Sequence, residues 1–201
     1  MLTLAIQSGG QSSRMGRDKG LVEFLGKPLI VQVMERLAPL ADEVIVTTNT
    51  PEAYRFLGVP LFPDLKPGRG ALGGLYTALA SASHQLVAVV ACDMPFASGA
   101  MLTYARDLLL NGDDDVAVPD SGDGMVEPFH AVYRRGSCLP AVEQAIESDL
   151  WKLISWFPQV KVRHITSAEV SRLDPAGLAF WNVNTPDELS LAERRAREIG
   201  Y

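Results

Sequence analysis

Sulfur is scarce in this chain: Cys92 and Cys138 are its two cysteines among 201 residues, and they form no CxxC pair. A disulfide framework or a structural zinc site needs more thiols, or histidines at metal-ligand spacing, and only three histidines are present. Cys92 ends an apolar run and reads as a small buried hydrophobe. Positive charge is also thin. Eighteen Lys and Arg stand against 24 Asp and Glu, for a net charge of −6, and no Lys/Arg-rich run occurs. Binding DNA or RNA requires a face that neutralises phosphates, so that class is excluded. A small phosphorylated ligand, for which a few local cations suffice, is not. No apolar stretch reaches the roughly 18 residues of a membrane span, and no basic segment leads into an apolar one at the start. These absences predict a cytoplasmic protein that does not cross a membrane. Repeats, low-complexity tracts and linkers are lacking too, so residues 1–201 are expected to form a single domain.

What is present alternates. Leu2–Ile6 runs straight into Ser8-Gly9-Gly10, as a buried strand ending in a glycine loop does. Pro28 opens a segment with Leu29, Ile30, Val33, Leu37 and Leu40 at helical spacing. Further strands are expected at Val44–Thr47, Val59–Phe62, Leu86–Ala91, Val116–Pro119, Glu127–Tyr133 and Val160–Ile165, with Asp120–Gly124 a polar turn. Further helices are expected at Pro51–Leu57, Leu72–Ala82, about Ser98–Leu110, Cys138–Ser148 and Pro186–Ile199, the last with Thr185 as its N-cap. Such alternation predicts an α/β fold with a mostly parallel sheet and helices on both faces. Sheets of this kind bind ligands outside the carboxyl ends of their strands. The unusual polar residues fall there: Ser8-Gly9-Gly10 after the first strand, Thr47 and Asn49 after the second, Asp64 after the third, and Asp93 after the central apolar strand.

The most specific string is SGGQSSRMGRDK, from Ser8 to Lys19. Adjacent glycines let backbone N–H groups face an anion with no Cβ in the way, and Arg14 and Lys19 can add charge to the same phosphates. It is neither a Walker A loop, since no Gly-Lys-Ser/Thr follows, nor a GxGxxG dinucleotide fingerprint. A loop of the form GGxSxRMGxDK directly after the first strand resembles that of the molybdenum cofactor guanylyl- and cytidylyltransferases and, more distantly, other nucleoside-triphosphate-dependent transferases. Five further segments resemble the molybdenum branch: Gly26-Lys27-Pro28-Leu29, Gly70 to Leu75, Cys92-Asp93-Met94-Pro95, Glu127 to Tyr133, and Asn182 to Leu189. Order and spacing agree from residue 6 to residue 189.

The resemblance implies a three-layer, Rossmann-like nucleotidyltransferase fold. It also implies transfer of a nucleoside monophosphate from GTP to the terminal phosphate of molybdenum-bound molybdopterin, with release of pyrophosphate. On this basis Arg14, Lys19 and Asp93 are catalytic and Asp93 holds Mg²⁺. Gln7, Ser8, Gly9, Gly10, Lys19, Thr47, Asn49, Asp64 and Asp93 contact the nucleotide, and Asn182 and Asn184 line the acceptor side. GTP and molybdopterin are then the partners, with other molybdenum cofactor proteins as transient contacts. The chemistry is consistent: the acceptor phosphate already carries its nucleophilic charge, and Mg²⁺ needs only one or two carboxylates beside phosphate oxygens and waters.

Without the resemblance, Asp93 and Asp64 are turn residues, and Asn184-Thr185-Pro186 is an ordinary helix cap. Asp113–Asp115 is then a solvated turn, and His130 a core or rim histidine. Two departures bear on the choice of base. The family's usual Leu-Ala before the glycines is Gln7-Ser8 here, and the asparagine expected after the second strand is replaced by Thr47 and then Asn49. They keep open a transferase with another base or acceptor, such as a cytidylyltransferase. A non-catalytic nucleotide-binding paralogue is the remaining alternative.

Overall fold

A computed structural model describes residues 1–9, 18–122 and 124–201. In chain order its elements are β1 (Leu2–Gln7), β2 (Glu23–Phe24), β3 (Lys27–Pro28), α1 (Leu29–Leu37), β4 (Glu43–Thr47), α2 (Pro51–Tyr54), β5 (Leu61–Phe62), α3 (Gly70–Ser81), β6 (Leu86–Ala91) and α4 (Gly99–Asn111). These are followed by β7 (Val116–Gly122), β8 (Met125–Val126), β9 (His130–Arg134), α5 (Arg135–Glu147), β10 (Val162–Ile165), α6 (Ser167–Leu173) and α7 (Pro186–Glu198).

β1 is buried along its whole length, because it lies mid-sheet with helices above and below. The strand order is β10-β7-β9-β6-β1-β4-β5. The pairs β1–β4, β1–β6, β4–β5 and β7–β10 are parallel, and β9 runs antiparallel between β6 and β7. The sheet is thus mostly parallel, as the alternation predicts.

Period-two alternation divides the core between the two faces. Leu4, Ile6, Val46, Ala88 and Val90 pack with Ile30, Val33 and Leu37 of α1 and with Leu102, Ala105 and Leu109 of α4. Ala5, Ile45, Val87 and Val89 face the other way, onto Leu72, Leu75, Ala78 and Leu79 of α3 and Ala141, Val142 and Ala145 of α5. Truncating a residue this buried, such as Leu4, to alanine would cost about 2–5 kcal/mol. A third cluster, with Phe24, Leu29, Phe96, Val183, Ala192 and Ala196, fastens the β2–β3 hairpin and α7 to the segment after β6.

The structure departs from the sequence reading in several places. β7 continues through Asp120 to Gly122 and pairs with β8, so the polar stretch is the end of a hairpin and not only a turn. β9 begins at His130 and not at Glu127. Pro128 has no N–H to give to a ladder. The chain turns there instead, with Glu127 N donating to Pro119 O at 2.9 Å and His130 N to Glu127 O at 3.1 Å. The β2–β3 hairpin and α6 were not anticipated. Leu25 and Gly26 both take positive φ, 50° and 81°, as a two-residue hairpin loop requires. α6 carries the capping box of Thr166 and Glu169, a signal legible in the sequence. The acidic run is a turn as expected, but Asp115 also accepts from Lys161 N at 2.9 Å and Asp113 pairs with the Lys161 ammonium. No helix among the described residues is long and apolar enough to cross a membrane.

Candidate active site

The carboxyl ends of β1, β4, β5 and β6 open into a cleft of about 680 Å³. Gln7, Ser8, Gly9, Lys19, Thr47, Asn49, Asp64, Asp93 and Asn182 all line it. Gly10 and Arg14 lie outside the described residues.

One end of the cleft is ionic. Lys19 Nζ donates to Asp93 Oδ2 at 3.0 Å and also to Asn184 Oδ1. Asp93 is held by the sheet itself, since Cys92 N donates to Gln7 O at 3.0 Å and extends the β1–β6 ladder. Asp93 O in turn accepts from Val183 N at 2.9 Å, so the backbone of the Asn182–Asn184 segment is tied to the aspartate. Glu188 Oε2 accepts from Asn184 N at 2.6 Å and Thr185 N at 3.0 Å, while Glu188 N donates to Thr185 Oγ1 at 3.2 Å. The helix cap read from Asn184-Thr185-Pro186 is therefore present, and it also positions a side chain bonded to Lys19. Asn182 lines the cleft, but its Nδ2 donates to Phe180 O at 3.2 Å, so the two asparagines are placed differently.

Lys19 opens a short 3₁₀ turn, Lys19–Leu21, capped by Asp18, whose Oδ1 accepts from Gly20 N at 3.2 Å. The Asp18 carboxylate also accepts from Tyr54 Oη and, at 3.2 Å, from Thr50 Oγ1. Tyr54 Oη lies 2.6 Å from Ser8 Oγ. Ser8 is thus tied into a chain of hydrogen bonds that an alanine could not join. A Cβ on Gly20 would stand 2.6 Å from Tyr54 Oη and 2.7 Å from Ser8 Oγ, so this close approach requires glycine. Burial first, and the Asp18 carboxylate second, hold the Tyr54 phenol well above its ordinary range, which keeps it a donor.

The other end of the cleft is built around a single carboxylate. Asn49 Nδ2 donates to Asp64 Oδ2 at 2.8 Å, and Asp64 N donates to Asn49 Oδ1 at 3.1 Å. This reciprocal pair fixes the Asp64 carboxylate at the mouth between β4 and β5. Nearby, α3 begins at Gly70 with no side-chain cap, and the amides of a helix's first turn have no partner within the helix. Gln7 and Thr47 sit between the two ends, paired across β1 and β4.

The cleft is also lined by residues not expected as site residues, among them Asp18, Glu127 and Phe129. Asp18 belongs to the loop string itself, and its place before Lys19 was the available signal. Glu127 reaches the cleft because Pro128 ends the ladder, with Phe129 N donating to Glu127 Oε1 at 3.2 Å. Burial, with a smaller push from the Asp93 charge, raises the Glu127 carboxyl above its ordinary value. His130 is a core histidine. It is fully buried, and its Nε2 accepts from Ser98 N at 2.8 Å at the start of α4. Burial lowers its pKa to about 4, so it is neutral near pH 7. Cys92 and Cys138 are both buried, and desolvation pushes each thiol up to about 12.

No cluster of three or more His, Cys, Asp or Glu suited to a metal occurs among the described residues. What the cleft offers is a pair of hard oxygens. Asp93 Oδ2 and Asn184 Oδ1 converge on one cationic group, the Lys19 ammonium.

Comparison with known proteins agrees with this arrangement. Residues 4–164 match the family described as the MobA-like NTP transferase domain. A Pelotomaculum thermopropionicum protein named "Probable molybdenum cofactor guanylyltransferase" is 36% identical over 93% of this chain and 89% of its own length. The molybdenum cofactor guanylyltransferase of Desulfosudis oleivorans is 32% identical over 96% of this chain and 94% of its own. Among solved structures, molybdopterin-guanine dinucleotide biosynthesis protein A from Archaeoglobus fulgidus superposes with a TM-score of 0.84 at 25% identity, covering 98% of this chain and 99% of that one. The matches span the strands, the cleft and Asp93 alike, and the chain belongs to the MobA-like NTP transferase family.

Proposed function

We propose that this protein transfers GMP from GTP to the terminal phosphate of molybdopterin, releasing pyrophosphate and forming the guanine dinucleotide form of the molybdenum cofactor. The observation that carries the reading is the polarity of the cleft. Lys19, Asp93 and Asn184 gather at one end, and Asn49 and Asp64 at the other. A nucleoside triphosphate has the matching polarity, with anionic phosphates for the lysine and a hydrogen-bonding base for the carboxylate.

Guanine presents two adjacent N–H donors, at N1 and the 2-amino group, which a carboxylate accepts together. Cytosine presents no such pair. Asp64, oriented by Asn49, therefore favours GTP over CTP. Ser8 and Gly9, at the end of β1, lie on the path of the phosphates, and Gly10 and Arg14 follow them in the sequence.

The oxygens of Asp93 and Asn184 are of the hard type Mg²⁺ takes, and they would hold it in place of the Lys19 ammonium, where it would neutralise charge on the phosphates and the departing pyrophosphate. The chain's own residues supply the rest. Lys19, then free of that pair, holds phosphate oxygens, and the Asn182–Asn184 segment positions the acceptor beside them. The attacking phosphate oxygen is already charged, so no general base is needed, and catalysis rests on in-line positioning and charge stabilisation.

The test is pyrophosphate release with molybdopterin as acceptor and each of GTP, CTP, ATP and UTP in turn. Release with GTP well above the others is expected. Release with CTP alone would transfer the reading to a cytidylyltransferase, and no release with any of the four would overturn it.

A further inference from the structure

Two polar atoms on the floor of the cleft are buried without a hydrogen-bond partner among the described residues: Gln7 Oε1 and Thr47 Oγ1. Their residues are 7% and 1% exposed. They are also neighbours. The β1–β4 register pairs Gln7 with Thr47, and both side chains share the sheet face of Ala5 and Ile45, beneath α3. The site is shaped around the amide. A Cβ on Gly74 of α3 would collide with the Gln7 carboxamide, approaching 2.5 Å from its Cδ, so glycine there makes room for it. Two further buried orphan atoms, His130 Nδ1 and Ser155 Oγ, belong to residues that do not line the cleft, whereas Gln7 and Thr47 both do.

A buried acceptor left unpaired destabilises the native state, and leucine and valine are close in shape to Gln7 and Thr47 without that penalty. The pair makes physical sense if a ligand completes it. On the GTP reading the Lys19 end of the cleft takes the phosphates, and Asn49, two residues beyond Thr47, orients the carboxylate that faces the base. Gln7 and Thr47 therefore lie under the nucleoside.

We propose that Gln7 and Thr47 form a second base-reading pair. Gln7 Oε1 accepts an N–H of the bound nucleobase, the guanine 2-amino group, and the Thr47 hydroxyl supports the same edge. This rests on the GTP reading above and adds to it the side chains that enforce base choice in this chain.

The experiment compares calorimetric binding of GTP and of ITP, which lacks the 2-amino group, to wild type, Gln7→Leu and Thr47→Val, with thermal unfolding of each. Wild type should prefer GTP. Gln7→Leu should weaken GTP about tenfold, leave ITP nearly unchanged and unfold at the same temperature or higher. Thr47→Val, nearly isosteric, should move in the same direction and keeps the test open if Gln7→Leu does not fold. Equal loss for both nucleotides, or no loss for either, would overturn the pair as base readers and leave them as buried residues only. Failure of wild type to bind any nucleotide would instead overturn the GTP reading, so the two failures are distinguishable.

Discussion

At the scale of single residues the consequences centre on charge. Asp93→Asn keeps the shape of the side chain but removes the charge that pairs with Lys19. Turnover should fall on the order of a hundredfold or more, because the lost group acts on charge that develops in the transition state. GTP affinity should change much less, and pyrophosphate release across a Mg²⁺ titration separates the two effects. Equal rates and equal metal dependence would reduce Asp93 to a turn residue. Lys19→Ala should weaken GTP binding in calorimetry while the fold persists, and unchanged affinity would remove Lys19 from the phosphate site. Glu127 gives a prediction of opposite character. Its folded pKa lies above the unfolded one, so the native state binds the proton more tightly and stability declines as pH rises out of the carboxylate range. Glu127→Gln, which keeps an acceptor for Phe129 N, should melt higher than wild type at neutral pH and lose that advantage in acid. Asp93 and Asp64 were legible from the sequence because each stands just past a strand end, and Lys19 because it closes the glycine-loop string. Glu127 was not, since only the turn forced by Pro128 carries it to the cleft.

At the scale of elements, α7 links stability to the site. Its capping box is formed by Thr185 and Glu188, and the same glutamate accepts from Asn184 N. Glu188→Ala should cost about 1 kcal/mol through the cap. If Asn184 serves the acceptor, it should also raise the KM for molybdopterin more than that for GTP. A variant losing only stability would separate the cap from the site. The elements themselves were legible where the apolar periodicity was long, as in β1, β6, α1 and α4. The β2–β3 hairpin was not, because two-residue strands carry no period and only the Leu25-Gly26 backbone, with positive φ at both residues, defines it. The strand after Glu127 was expected three residues early because Pro128 and Phe129 continue an apolar-looking stretch that the missing N–H interrupts.

At the scale of the whole molecule, buried His130 couples the fold to pH. Its neutral form is favoured in the native state, so its contribution is complete above pH 6.5 and is lost as pH falls towards about 4. The displacement corresponds to about 3 kcal/mol. Acid unfolding should therefore steepen across that interval in wild type and flatten in His130→Gln, which can still accept from Ser98 N. Identical profiles would mean that another group controls acid stability. The topology was readable as parallel α/β, but the antiparallel β9 between β6 and β7 was not, because strand direction is set by which loops close and not by composition. The backbone bond from Val183 N to Asp93 O has a consequence in time as well as in space. Ribosomes deliver residues in order, and everything from β1 to α6 emerges before the segment that carries Asn182 and Asn184. A nascent chain with its sheet assembled already owns Asp93 and the Asn49–Asp64 pair. The partner that completes the Lys19 cluster emerges only after all of those elements, so the Lys19–Asp93 pair can form before Asn184 is there to join it.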